Sequence, residues 1–144
     1  MKKPFCVLLL IVLCAGMTSV ASATDWQQVD YDNALDISFD AQSFQKTGDT
    51  SYTFWKKWQY DESSGKKIAK SLGFAKPISY TLEKVEYDYS ANQYRTLFDA
   101  IYTKDASVLS SDDTPDAEWE KVYSESLNGY ICELTYEYYK KHYQ

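Results

Sequence analysis

Hydrophobic and polar residues alternate along most of the chain after residue 25, and this alternation predicts β-strands. The segment 51–61 is the most aromatic of them, with Trp58 on one side and Trp55 on the other. Because neighbouring residues of a strand point to opposite faces, neither side of this strand is simply exposed to water. The predicted strands are residues 26–31, 35–40, 51–61, 80–89, 94–102 and 106–109.

Residues 80–102 are the strongest single prediction, a β-hairpin of two aromatic, β-branched arms joined by the turn formers at 90–93. The expected register places aromatic and aliphatic pairs on one face and opposite charges on the other, an arrangement that cross-strand energetics favours. A slip of one residue would exchange the two faces. The expected pairs are Tyr89 with Tyr94, Tyr87 with Thr96, Val85 with Phe98, Asp88 with Arg95, and Lys84 with Asp99.

The end of the chain changes from strand to helix periodicity. Ser124 or Ser126 can cap this helix, and Glu137 and Lys141 are spaced as an i,i+4 ion pair. We therefore predict a C-terminal helix of about four turns. Its expected apolar stripe consists of Leu127, Tyr130, Ile131, Leu134 and Tyr138.

The remaining segments are predicted to be connections. Residues 41–50 and 110–116 are polar loops, and residues 62–76 are a loop or a loop with one helical turn. Residues 117–126 fit either a helical turn or an irregular link. Strands come first and the helix last, so the predicted fold class is α+β, an antiparallel sheet of about six strands with a C-terminal helix packed on one face.

The first residues have the features of a secretory signal peptide over residues 1–23. They combine a positive start, an apolar run at 5–15 and small residues before the expected cleavage site. A single domain, residues 24–144, would then be exported to the periplasm, the cell surface or the medium, with no integral membrane span after cleavage. An uncleaved anchor and lipid attachment at Cys14 are the two alternatives.

The net charge and the cysteine content narrow the range of possible functions further. Loss of Lys2 and Lys3 with the signal peptide would move the formal net charge from −6 to −8. Such an acidic domain is a poor candidate for nucleic acid, whose affinity comes mainly from phosphate neutralisation. Cys132 would be the only cysteine left, so no disulfide can form inside the domain. It is either a small buried hydrophobe or a free thiol that could link a homodimer.

No arrangement of residues in the sequence predicts catalysis. His142 is the only histidine, and about ten helical residues, roughly 15 Å, separate it from Cys132. Zinc requires more cysteine and histidine than the chain offers. The aspartates at 112, 113 and 116 lack the spacing of a calcium loop, so we interpret them as a solvated loop. We therefore expect no enzyme activity, no cofactor and no metal.

Two neighbouring segments could bind a partner, because aromatic residues alternate with lysines at 55–60 and a basic group follows at 66–76. The alternative is that the aromatic residues belong to the core and the lysines protect an edge strand from aggregation. The candidate partner-binding residues are Trp55, Lys56, Lys57, Trp58, Tyr60, Lys66 and Lys67.

Several landmarks follow one another in an order that resembles a known family. They are Trp26 at the start of the domain, the segment 40–43 after an alternating strand, Trp55 in the strand after a glycine turn, the segment 85–88 followed by Arg95, the segment 119–126, and Cys132. In this order and spacing the chain resembles the surface-adhesin protein E family of bacterial envelope proteins.

The resemblance implies a fold of about six antiparallel strands with a C-terminal helix, often dimeric, and a function in adhesion to host matrix proteins. It also marks Tyr89, Arg95, Trp119 and Cys132 as structural residues. The family has a cysteine where this chain has Tyr89, so the resemblance implies that Tyr89 and Cys132 are neighbours without the usual disulfide. The expected function is protein recognition, with a host matrix or envelope protein as partner. The alternative is a periplasmic inhibitor or immunity-type envelope protein that acts on a basic target.

Overall fold

The computed structural model describes residues 24–31 and 36–144. Over these residues the chain forms eight strands and two helices. The predicted signal peptide lies outside the described residues, as does Leu35 at the start of the predicted second strand. The elements are β1 (Trp26–Val29), β2 (Asp36–Asp40), β3 (Gln45–Lys46), β4 (Ser51–Gln59), α1 (Glu62–Ser71), β5 (Tyr80–Asp88), β6 (Gln93–Tyr102), β7 (Val108–Asp113), β8 (Glu120–Lys121) and α2 (Leu127–Tyr143).

All the strands belong to one antiparallel sheet in the order β1-β2-β4-β5-β6-β7. The predicted α+β class with a C-terminal helix is therefore confirmed. The two additional strands are β3, which pairs with β4, and β8, which pairs with β6. Each has only two residues, and such a short segment leaves no alternation in the sequence.

The hairpin β5–β6 forms, but the predicted register is wrong. Tyr87, and not Tyr89, lies opposite Tyr94. The strand ends at Asp88 because its carboxylate accepts hydrogen bonds from the backbone N–H groups of Ser90 and Ala91, which closes a four-residue turn one residue earlier than we expected.

A bulge changes the faces farther along this hairpin. Val85 pairs with Thr96 whereas Lys84 pairs with Phe98, so Leu97 is the extra residue. Phe98 therefore lies on the face predicted for Asp99, and the two have exchanged sides. The expected ion pairs of Asp88 with Arg95 and Lys84 with Asp99 do not form; the pairs opposite each other are Glu86 with Arg95, Lys84 with Phe98, and Glu83 with Asp99.

The segment after β4 is a helix of ten residues, α1, where we predicted a loop with at most one helical turn. Asp61 caps it by accepting a hydrogen bond from the Ser64 backbone N–H. A Cβ added at Gly65 would lie 2.0 Å from the Ile78 carbonyl oxygen, so α1 packs closely on the segment that leads into β5. Its glycine and its three serines, which favour turns and caps over helix interiors, hid this helix in the sequence.

The strand β7 runs from Val108 to Asp113, whereas we predicted a strand over 106–109 and a loop over 110–116. Ala106 has a positive φ of 61° and belongs to the preceding turn. β7 is an edge strand with five of its six residues exposed, so its residues show no apolar alternation.

The C-terminal helix α2 is confirmed, and Ser126 caps it by accepting a hydrogen bond from the Gly129 backbone N–H. Its buried face is wider than the predicted stripe, since Ile131, Cys132, Thr135 and Tyr139 are all buried. Of the predicted stripe, Ile131 is buried, and the other four residues are partly buried at the margin of the core. Glu137 pairs with Lys140 at 2.7 Å and not with Lys141.

The core lies between α2 and one face of the sheet, which we call the helix-facing side. Tyr52 is at its centre, stacked on Tyr139 at 4.3 Å between ring centroids and hydrogen-bonded to Thr135. Phe44, in the connection that we predicted to be polar, is buried and packs beside them. Aromatic packing and side-chain hydrogen bonds, with no disulfide among the described residues, therefore hold α2 on the sheet.

Cys132 is 2% exposed within this core, which agrees with its interpretation as a small buried hydrophobe. A disulfide to a second copy would require α2 to leave the sheet. Tyr89 stacks on Tyr136, one helical turn beyond Cys132, with ring centroids 4.6 Å apart. Tyr89 thus packs on α2 through Tyr136, and its expected contact with Cys132 stays a prediction.

Candidate functional site

The strand β4 divides the predicted partner-binding residues between the two faces of the sheet. Lys56 and Trp58 lie on the helix-facing side, in line with Phe54. Trp55 and Lys57 point to the opposite face. The segment 55–58 is therefore not one patch.

The other predicted partner-binding residues lie away from that opposite face. Tyr60 follows β4 on the helix-facing side, where burial raises its pKa. Lys66 and Lys67 are exposed on α1, and Lys66 pairs with Glu62 of the same helix. These three residues do not join Trp55 and Lys57 in a single surface.

Lys56 has a structural role in this fold. It is 3% exposed, and its Nζ lies 2.7 Å from a Glu83 carboxylate oxygen and 5.0 Å from the centre of the Trp58 ring. Asn128 of α2 accepts a hydrogen bond from the same ammonium at 3.5 Å. Burial and these partners keep Lys56 out of contact with any binding partner.

The face of the sheet opposite α2 adds no residue to the buried core cluster, and we call it the open face. Cross-strand register places Trp55, Lys84 and Phe98 side by side on β4, β5 and β6. The rings of Trp55 and Phe98 meet edge to face at 5.6 Å. The large apolar and cationic side chains of the open face are Trp26, Trp55, Lys57, Tyr80, Leu82, Lys84, Arg95, Phe98, Tyr102 and Trp119.

A cleft of about 370 Å³ lies on the open face between Trp26 and Trp55. Sequence reasoning found Trp55 but missed Trp26, Leu82 and Lys84 as its neighbours. The correct register of β4 and β5 would have found Leu82 and Lys84, because it sets them beside Lys57 and Trp55. The cleft is lined by Thr24, Trp26, Asp40, Gln42, Ser43, Gln45, Trp55, Leu82 and Lys84.

The polar groups of this cleft differ in how well they are already paired. The Asp40 carboxylate accepts hydrogen bonds from the backbone N–H groups of Asp25 and Gln42. The Ser43 hydroxyl donates a hydrogen bond to the backbone carbonyl of Asp40 and accepts one from the backbone N–H of Trp55. Lys84, in contrast, has no ion pair among residues 24–31 and 36–144. Its ammonium is the charge that the cleft leaves for a ligand.

A second cation lies beside the same cleft. The Lys57 Nζ is 4.6 Å from the centre of the Trp26 ring and has no ion pair within the described part of the chain. The other described lysines are either exposed or, like Lys56, buried with a carboxylate. Lys57 and Lys84 are thus the two half-buried lysines that lack one, and both belong to the open face.

The residues Arg95 and Trp119 close another part of the open face. The Arg95 guanidinium donates to Glu86 at 2.7 Å, lies 4.4 Å from the centre of the Trp119 ring and donates to the Ala117 carbonyl. These contacts fix the segment before β8 to the sheet, which is consistent with the structural role expected for Arg95 and Trp119.

The helix-facing side also carries a row of charges that crosses four strands. Lys56, Glu83, Asp99 and Asp112 lie next to one another on β4, β5, β6 and β7. The pKa of Asp99 is raised, chiefly by burial and then by the charges of Asp112 and Glu83. This row has more carboxylates than cations.

The residues available for catalysis lie apart. His142 is exposed at the end of α2, where its ring stacks on Tyr138, whereas burial raises the pKa of the Cys132 thiol to about 12. The helical separation of His142 and Cys132 excludes a nucleophile–base pair within the chain. No group of three or more His, Cys, Asp or Glu side chains that could hold a metal ion occurs in the described residues.

Among the residues that the structure describes, no helix is long and apolar enough to cross a membrane. No family model, no curated protein and no solved structure matches this chain. The likeness to surface-adhesin protein E is therefore still a prediction that depends on the landmark residues themselves.

Proposed function

We propose that this protein is an exported binding domain without catalytic activity, and that it recognises a protein partner through the open face. The observation that carries this proposal is the content of that face, where half-buried aromatic rings lie beside cations and take no part in the core beneath α2. Tryptophan, tyrosine and arginine are enriched at the centres of protein interfaces, where they supply much of the binding energy.

A second observation supports the proposal: the apolar side chains on the two faces of the sheet have different surroundings. Tyr52, Phe54 and Val85 stabilise the fold from the helix-facing side. Trp55, Leu82 and Phe98, which alternate with them along the same strands, are half-buried and add nothing to that core cluster. Large apolar side chains that a core does not use are typical of interaction surfaces.

A panel of purified host matrix and envelope proteins tests the proposal by surface-immobilised binding. The wild-type protein should bind at least one of them, and the double substitution W55S/F98S should remove that binding. Tyr123→Ser is the matched control, because Tyr123 is 66% exposed and lies outside the open face. Binding by the W55S/F98S variant at the wild-type level, or no binding by the wild type, would contradict the proposal.

The charge row of Glu83, Asp99 and Asp112 favours a second candidate function, a periplasmic inhibitor or immunity-type protein that acts on a basic target. Asp99 and Asp112 have no ion pair in residues 24–31 and 36–144, so a cationic surface would relieve their mutual repulsion. A D99N/D112N variant should lose protection against a basic envelope hydrolase. Unchanged protection, or none in the wild type, would remove this candidate.

A further inference from the structure

The cleft between Trp26 and Trp55 combines features that select the chemistry of a ligand. Its volume of about 370 Å³ is within the usual range of a binding pocket, and indole rings and Leu82 give it apolar walls. Its own carboxylate, Asp40, is already satisfied by backbone N–H groups. Lys84 in the lining and Lys57 beside the Trp26 ring outnumber this one carboxylate, so the balance of charge at the cleft is positive.

The two cations at this cleft are unusual for this chain. Asp and Glu outnumber Lys and Arg by 21 to 15, yet neither Lys57 nor Lys84 has a carboxylate partner in the described residues. Both residues are half-buried between aromatic neighbours, with Trp26 beside Lys57 and with Trp55 and Phe98 beside Lys84. An incoming anion would supply the missing carboxylate partner, and the apolar surroundings would strengthen the attraction.

From these observations we infer that the cleft binds an acidic segment of a protein partner, with a carboxylate on Lys84 and an apolar or aromatic side chain against Trp26 and Trp55. The inference depends on the proposed function and specifies the partner's chemistry. Lys57 contributes positive potential beside the Trp26 ring.

A protein segment fits this surface better than a charged polysaccharide. The open face continues past the cleft through Leu82 and Phe98 to the stacked rings of Tyr80 and Tyr102, whose centroids are 4.7 Å apart. This continuation is apolar, like the centre of a protein interface. A charged polysaccharide carries anionic groups along its whole length and would find no cation among Leu82, Phe98, Tyr80 and Tyr102, whereas the apolar side chains next to an acidic residue can cover these rings.

The test uses synthetic peptides of one length with a central aromatic residue, flanked by aspartate, asparagine or lysine. Binding to the purified protein is followed by calorimetry and by tryptophan fluorescence. We expect the aspartate peptide to bind about tenfold more tightly than the asparagine peptide at low salt, and this preference to weaken as salt is added. Lys84→Gln should remove the preference.

Three controls make the outcomes distinct. Lys121→Gln is matched to Lys84→Gln because Lys121 is a strand lysine beside an aromatic ring, Tyr123, but is exposed and outside the cleft; it should leave the preference intact. Trp55→Leu should weaken the binding of the aspartate peptide and of the asparagine peptide to the same extent. Urea unfolding confirms that each variant is folded.

The results that would overturn the inference are specific. Equal binding of the aspartate and asparagine peptides, weakened by Trp55→Leu, would refute an acidic partner and leave the open face as a binding surface. Lys84-dependent binding of heparin without binding of the aspartate peptide would replace the protein segment by a polysaccharide. No peptide binding would refute the inference, and the separate protein panel would still decide the proposed function.

Discussion

Truncation of Phe44 is the most informative test of how α2 is held on the sheet. Phe44 is 7% exposed and lies in the connection between β2 and β4, which we predicted from the sequence to be a polar loop. Six aromatic rings have their centroids within 5.9 Å of its own. They belong to Phe39, Tyr52, Phe54, Tyr138, Tyr139 and Tyr143.

The expected cost of Phe44→Ala follows from this environment. Replacing a buried phenylalanine by alanine lowers the free energy of unfolding by about 3–5 kcal/mol. The upper part of that range applies here, because three of the six rings come from α2 and three from the sheet side, and each ring pair adds about 0.5–1.5 kcal/mol. We expect a loss of at least about 4 kcal/mol, a large share of the roughly 5–15 kcal/mol of a typical domain.

Equilibrium unfolding in urea, followed by near-ultraviolet circular dichroism, measures this loss. For a slope of about 1–3 kcal/mol per M, the midpoint should fall by about 1.3–4 M. Phe44→Leu should cost less because it keeps most of the apolar volume. Tyr123→Ala, at a position 66% exposed, should change stability by less than about 0.5 kcal/mol. A loss below about 1 kcal/mol for Phe44→Ala would refute the role of Phe44.

Three further predictions concern other contacts of the fold. Glu83→Gln leaves the buried Lys56 ammonium without its carboxylate and should destabilise the protein by about 3–5 kcal/mol in urea unfolding, whereas Lys56→Met should cost less. Gly65→Ala places a Cβ 2.0 Å from the Ile78 carbonyl oxygen, so its thermal midpoint should fall; an unchanged midpoint would show that α1 is not packed there. Cys132 should resist alkylation at pH 8 in the folded protein and react in urea, because burial raises its pKa to about 12. Since the unfolded thiol ionises near 9.0, this thiol should also reduce stability as the pH rises from 9 towards 12.

The sequence predicted the fold class because its long strands and its C-terminal helix have strong periodicity. The alternation of β4 and the cap at Ser126 are local signals, and both are confirmed. The width of the buried face of α2 was not predictable in the same way. It depends on the sheet below, which buries Thr135 through a hydrogen bond to Tyr52.

The predicted register of the hairpin β5–β6 was wrong for two local reasons. Asp88 ends its strand by capping the turn, and the bulge at Leu97 exchanges the faces of the residues beyond it. Neither event changes the hydrophobic pattern near the turn, so the pattern could not reveal it. Phe98 was missed because the bulge places it on the open face, whereas Lys84 was missed because its pairing with Trp55 depends on the register of β4 and β5.

The comparison of Trp55 with Phe54 tests the central claim most directly, since these neighbours on β4 belong to opposite faces of the sheet. Phe54 is 0% exposed beneath α2, and Trp55 is half-buried on the open face. Hydroxyl-radical footprinting with mass spectrometry measures the oxidation of each side chain in the folded protein. Ready oxidation of Trp55 with protection of Phe54 is the predicted result. Protection of both residues, or oxidation of Phe54 at a rate typical of an exposed phenylalanine, would contradict a sheet with one face closed by α2 and the other open.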